Sequence, residues 1–224
     1  MPSFRSAASC ASLLVQLKLM KDPGPSRVVD FVFSNPIIAP LQVRSELLRF
    51  AAIIAELKPS LALEIGTAHG GTLCVISRLS RTSGTIISVD MPGGLFGGGY
   101  KWFRVPIFKF FPVLNQKLHL IRGDSHDPAI QSLVRSRMGK NRKLDLLFID
   151  GDHTYEGVKA DFEAYAPLVR SGGVIAFHDI AEHPKESGCE VARFWQEIKS
   201  LYAHEEIIEN QQQGWAGIGI LKVD

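Results

Sequence analysis

Short apolar runs that end in polar or acidic residues, with helix-period segments between them, constrain this chain more than any other feature. β-type runs recur at 61–65, 85–89, 118–121, 144–149 and 174–177. Elsewhere the apolar spacing changes to steps of three and four, as in Val43, Leu47, Phe50, Ile54 and Leu57, and in the segments 129–138 and 155–166. Asp127-Pro128 supplies an N-cap and a first-turn proline for the first of those segments, and Gly139 ends it. Strands alternating with helices predict right-handed βαβ units, hence an α/β fold on a parallel sheet. After a helix over 191–202 the rhythm breaks. Two strand-like stretches, 204–208 and 216–223, follow with no helix between them, which predicts an antiparallel hairpin. The expected sheet is five parallel strands plus this C-terminal hairpin, with helices on both faces. A length of 224 residues suits one such domain. Residues 41–224 are assigned to it, and residues 1–40 to an accessory helical segment.

Composition narrows the function classes. Lys plus Arg number 25 against 23 Asp plus Glu, a net charge of +2, so the overall balance leaves no electrostatic footprint for nucleic acid. No apolar run approaches the roughly 20 residues that cross a bilayer, and no membrane partner is expected. Cys10, Cys74 and Cys189 are odd in number and lack CxxC spacing. They suit a reducing, cytoplasmic setting rather than a disulfide framework or a thiolate zinc site. The first 21 residues contain no acid, a faint transit-peptide trait, but Gln16 and Lys18 interrupt their apolar stretch. An accessory amphipathic helix is the better expectation there.

The first β-type run leads into LEIGTAHGGT. Gly66, Ala68, Gly70 and Gly71 allow a sharp turn and a close backbone approach to a ligand, at the start of a helix whose N–H groups face it. Glu64 is an acid where a pyrophosphate would be repelled and an ammonium welcomed. The second run ends in Asp90, a bidentate acceptor for two ribose hydroxyls. The third ends in RGDSHD, whose Asp124 and Ser125 are placed over an adenine, while Asp127 is explained by capping. Directly after Asp90 comes GGLFGGGYKWFR, residues 93–104, rich in glycine and aromatics, either a plain flexible loop or a lid over the site.

The fourth run ends in FIDGDHTYEG and the fifth in AFHDI, so Asp150, Asp152, His153, His178 and Asp179 gather at carboxyl strand ends, where open α/β sheets bind ligands. Asp152 or Thr154 can serve as a helix cap, which explains one acid but not the cluster. Adjacent strands about 4.8 Å apart let Asp150 and Asp179 converge on one cation. His69, His119, His183 and His204 have no such convergence and default to surface or loop positions, as does His126.

LEIGTAHGG, SVD, GDSHD, FIDGDH and AFHD, in this order and spacing, resemble the class I S-adenosylmethionine-dependent methyltransferases. Among these they are most similar to the metal-dependent small-molecule O-methyltransferases of the macrocin O-methyltransferase and cephalosporin-hydroxylase-like group. The resemblance covers roughly residues 40–222. It implies a Rossmann-like methyltransferase domain, S-adenosylmethionine bound along Glu64, Gly66, Ala68, Gly70, Asp90, Asp124, Ser125 and Asp150, and a divalent metal on Asp150, His178 and Asp179. It also implies a general base three residues past the metal Asp, which is His153 here and Lys in the catechol enzymes. The departure is His178, where an oxygen ligand is usual; magnesium prefers oxygen, so with magnesium or manganese expected, either His178 does not ligate or the metal is a softer one such as manganese or zinc. The implied partner is a small-molecule acceptor with a metal-chelated hydroxyl, with a homo-oligomer left open. Two other classes remain: a nicotinamide-dependent oxidoreductase, although no YxxxK pair is present, and a non-catalytic or hydroxylation-associated relative that keeps the fold.

Overall fold

The computed structural model describes residues 4–94, 96 and 99–224, with the side chains of 4–8 left aside. Met1–Ser3 lie outside it, as do Leu95, Gly97 and Gly98 of the segment considered as a lid. Seven strands form one sheet: β1 (Leu61–Ile65), β2 (Thr85–Asp90), β3 (Lys117–Arg122), β4 (Leu144–Ile149), β5 (Val169–His178), β6 (Ala203–Ile207) and β7 (Ile218–Lys222). Their order is β3-β2-β1-β4-β5-β7-β6. The first five run parallel, and β7 pairs antiparallel with both β5 and β6. This is the expected sheet, with β7 inserted between β5 and the edge strand β6.

Period-two alternation decides which face each strand residue serves. On β4, Leu146 and Phe148 enter the cluster on one face of the sheet, and Leu147 and Ile149 the cluster on the other; Leu144 joins the latter out of alternation, where the pairing register shifts. The first face is covered by α1 (Phe4–Leu19), α2 (Pro25–Ser34), α3 (Arg44–Leu57), α4 (Gly71–Leu79) and α5 (Val105–Phe108). The second is covered by α6 (Pro128–Met138), α7 (Tyr155–Tyr165) and α8 (Val191–Ile198). Buried on both faces, β1, β2 and β4 have no exposed residue, which is why they read as nearly unbroken apolar runs. Leu13, Leu17, Val28, Val29 and Val32 of α1 and α2 share one core with Leu47, Phe50 and Ile54 of α3.

Strand β5 is longer than its apolar stretch 174–177. Val169 pairs with Leu144, the register shifts between Leu144 and Leu146, and a glycine-containing bulge carries the chain on to Val174. The helix expected over 191–202 ends at Ile198 and tightens into a 3-10 turn over Lys199–Leu201. At the amino end of the sheet, Asp145 accepts from Ser60 N, Ser60 Oγ and Leu61 N and meets Arg170 Nε at 2.6 Å, so this acid ties strands and takes no part in the site.

Candidate active site

The strand order reverses between β1 and β4, and a crevice opens beyond the carboxyl ends of strands at such a switch point. Two clefts meet there. One, about 440 Å³, is lined among others by Gly66, Ala68, Asp90, Asp124, Ser125 and Asp150. The other, about 360 Å³, is lined among others by Gln42, His153, His178, Asp179, His183 and Trp215. Gly66, Ala68, Phe96 and Asp150 border both.

The first cleft is made by backbone. Gly66 sits at φ +85°, and a Cβ there would overlap the carbonyl of Asp150, so the two strand ends close to a distance only glycine permits. Gly70, expected on the cofactor side, caps α4 at φ +87° but borders the second cleft, and a Cβ there would meet the Phe108 ring. Asp90 Oδ2 accepts from Tyr100 N at 2.8 Å and Ala68 N at 3.2 Å, which orients the carboxylate at the end of β2; burial raises its pKa against those bonds. Asp124 and Ser125 line the far wall, where Asp124 Oδ1 accepts from His126 N and the Ser125 carbonyl accepts from Tyr165 Oη. Glu64 lies lower. It is fully buried and borders neither cleft; Oε2 accepts from Thr67 Oγ1 at 2.7 Å, and Oε1 has no hydrogen-bond partner. Burial holds its pKa well above the ordinary carboxylate value.

The second cleft is lined by charge. His178 Nδ1 stands 3.1 Å from Asp150 Oδ1 and 3.2 Å from Asp179 Oδ2. One ligand atom from each of these three residues lies within 4.8 Å of the others, a spacing that could hold a cation. His178 Nε2 is buried without a partner. Two carboxylate oxygens and an imidazole nitrogen fit a divalent ion, manganese or zinc more readily than magnesium. Asp179 adopts φ +62°, a conformation that costs a non-glycine residue about 1–3 kcal/mol and persists where the surroundings enforce it. Its enforcers are Ala216 N, which donates to Oδ1 at 3.0 Å, and three histidines. Burial pushes the Asp179 pKa up, but His178, His153 and His183 outweigh it and hold the carboxyl well below the usual range.

His153, the residue implied as general base, is held among carboxylates: Nδ1 is 2.8 Å from Asp179 Oδ2, Nε2 is 3.7 Å from Asp150 Oδ1, and the ring stacks on Phe96. Burial lowers its pKa, but bonds to Asp179 and Cys189 and the charge of both aspartates prevail and raise it to about 10. Asp152 caps: its Oδ1 accepts from Thr154 N and Oγ1, and Thr154 in turn caps α7 by accepting from Gly157 N.

Several neighbours carried no usable sequence signal. His183, expected on the surface, is mostly buried with Nε2 3.2 Å from Asp179 Oδ1. Gln42 Nε2 reaches Asp150 Oδ2 at 3.5 Å from a segment remote in sequence. Trp215 arrives from the β6–β7 connection. His126 is no plain loop residue either, since Nε2 lies 3.3 Å from the fully buried Asp161.

A sheet of this order with a glycine-cradled crevice at its switch point is a class I methyltransferase fold. A family model described as a methyltransferase domain matches residues 63–180, more than half of the chain, and the protein belongs to that family. This membership sets the nicotinamide-oxidoreductase alternative aside. Rhamnosyl O-methyltransferase of Mycobacterium tuberculosis is 24% identical over 182 residues, covering 76% of this chain and 69% of its own. An uncharacterised protein of Acanthamoeba polyphaga mimivirus is 30% identical over 121 residues, 54% of this chain and 52% of its own, so the chain spans about half the length of that relative. Among solved structures, MycE methyltransferase from the mycinamycin biosynthetic pathway, in complex with Mg, SAH and mycinamycin VI, superposes with a TM-score of 0.58 at 18% identity. The match covers 90% of this chain and 53% of that one.

Proposed function

We propose that the protein transfers a methyl group from S-adenosylmethionine to a metal-chelated hydroxyl of a small molecule such as a sugar or natural product. The observation that carries this reading is the junction of the two clefts at Gly66, Ala68, Phe96 and Asp150, with a backbone cradle on one side and the Asp150–His178–Asp179 cluster on the other. Similarity to the rhamnosyl O-methyltransferase, and to the MycE methyltransferase in complex with Mg and SAH, supports it.

On the cofactor side, Gly66 admits the ligand's close approach, Asp90 accepts from ribose hydroxyls, and Asp124 and Ser125 border the base. On the acceptor side, Asp150, Asp179 and His178 would hold the cation, which when bound supplies Lewis acidity at the acceptor hydroxyl. A sugar hydroxyl ionises near the value of bulk water, about 15.7, well above even the raised pKa of His153, about 10. That gap of about six units, roughly 8 kcal/mol, is too large for His153 alone and explains why a cation site would adjoin it. Without a cation the charge of Asp150 and Asp179 holds His153 protonated at neutral pH; with that charge taken up by a cation, Nε2 would be free to take the acceptor proton while Nδ1 stays against Asp179, which fixes the ring. The two clefts hold donor and acceptor for in-line transfer, so the protein supplies mainly orientation.

The test is methyl transfer to sugar-bearing acceptors, followed by loss of product-side S-adenosylhomocysteine formation on exhaustive chelation. Activity should return with manganese or magnesium. Asp179→Asn should lose turnover yet still bind S-adenosylhomocysteine, because Asp179 borders only the second cleft. Transfer indifferent to chelation would remove the metal from this reading, and failure of the wild type to bind S-adenosylhomocysteine would overturn the whole of it.

A further inference from the structure

The near-balance of charge is an average over unlike regions. Residues 1–21, 65–89 and 91–123 contain ten of the 25 lysines and arginines and none of the 23 aspartates and glutamates. The fold brings parts of all three stretches together. Arg78 of α4 donates to the Met20 carbonyl at 3.0 Å and the Phe110 carbonyl at 2.9 Å. Lys18 Nζ of α1 lies 5.8 Å from the centre of the Phe110 ring, and Asn115 N donates to the Thr82 carbonyl at 3.1 Å.

Along this junction Val15, Leu19, Trp102, Phe103, Phe110 and Leu114 are exposed, with Trp102 at 72% and Leu114 at 85%. Interspersed with them Lys18, Lys21, Arg81, Lys101, Lys109 and Lys117 are exposed too. Among the described residues none of these six cations joins a salt bridge. Large apolar side chains grouped on one surface cost solubility and mark an interaction site. Val15 and Leu19 stand one helical turn apart on α1 and Lys18 bends over Phe110, so exposed apolar and cationic groups of α1 meet those of the 101–117 segment there.

We propose that this face docks the protein on an anionic phospholipid surface. Trp, Phe and Leu side chains enter the boundary between headgroups and acyl chains, while lysines reach the phosphates above them. Nucleic acid would use the cations but leave Val15, Leu19 and Leu114 without purpose, because an aliphatic side chain offers no stacking surface to a base. A second copy of the chain would bring two predominantly cationic faces together, Asp22 being the exposed acid beside Lys21, and their repulsion opposes this. The same chain segment sets Phe96 against His153 and Tyr100 N on Asp90, so docking through Trp102 and Phe103 keeps the mouth of the clefts beside the bilayer. This inference does not depend on the identity of the acceptor.

Co-sedimentation of the full chain with phosphatidylglycerol-containing vesicles, against pure phosphatidylcholine vesicles, tests it. The protein should partition to the anionic vesicles only, and less as salt is raised. Lys101→Ala and Lys109→Ala should each lower the partition roughly fivefold. Trp102→Ala with Phe103→Ala should also lower it, with the melting temperature and S-adenosylhomocysteine affinity of the wild type retained as proof of folding. Absence of wild-type partition, equal partition of wild type and variants, preference for DNA over vesicles at the same salt, or a dimer that Trp102→Ala dissolves would each overturn the proposal.

Discussion

At Gly66 a single missing Cβ decides whether two strands can meet. With φ at +85° and the Asp150 carbonyl against it, Gly66→Ala adds both backbone strain and a clash with main chain that cannot rotate away. The variant is expected to lose at least about 2–3 kcal/mol of stability and its affinity for S-adenosylhomocysteine, read by thermal melting and calorimetry. Gly24, which has open space around its Cβ position, is the control: Gly24→Ala should do neither. The histidines separate by what they touch. His153 borders only the second cleft, so His153→Ala should cut methyl transfer about 10²–10⁴-fold with cofactor affinity intact. His178, between the two aspartates, should when replaced by alanine shift the metal dependence instead. Unchanged turnover for His153→Ala would return the base role to solvent. The strand-end acids and histidines were legible because each follows an apolar run directly. His153's pose was not, because which carboxylate a ring faces depends on strands joined 25 residues or more apart in the chain.

Helices and strands are positioned by local chemistry that the chain displays openly. Thr154 at the start of α7 accepts from Gly157 N at 3.0 Å and is itself bound by Asp152. Thr154→Ala should cost about 1 kcal/mol, seen as a lower denaturant midpoint at unchanged slope, while Thr154→Ser should restore it. A neutral result would mean that tertiary contacts of α7, among them Val158 and Tyr165 in the core, hold the helix by themselves. The Asp127 cap and the proline after it placed α6 from sequence alone, and its side chain accepts from Ala129 N as a cap should. Element ends that depend on partners were less legible. Strand β5 extends back to Val169 because β4 offers it a pairing edge, and the end of α8 tightens where β6 must begin.

Across the whole molecule, contacts between distant segments set the response to pH. His126, beyond β3, lies against Asp161 of α7, and the bond to that carboxylate leads the causes that raise its pKa to about 9. A folded-state pKa above the ordinary 6.5 means that the stabilisation is fully present below about 6.5. It is lost as pH climbs through about 9. The melting temperature should therefore fall across this window, and His126→Gln should flatten that part of the decline; a slope identical in the variant would show that the pair contributes nothing. Among the described residues no helix is long and apolar enough to cross a membrane.

Periodicity and strand ends determined much of this protein from sequence alone. Alternation fixes which strand faces are buried, the apolar runs order the βαβ units, and strand ends deliver Asp90, Asp150 and Asp179 to one edge, because these depend on neighbours within a few residues. Only the tertiary structure decided that β7 enters between β5 and β6, that His183, Gln42 and Trp215 close around the aspartates, and that three acid-free stretches share a face. Such placements arise from packing between segments tens of residues apart, and a loop side chain has no period from which its neighbours could be inferred.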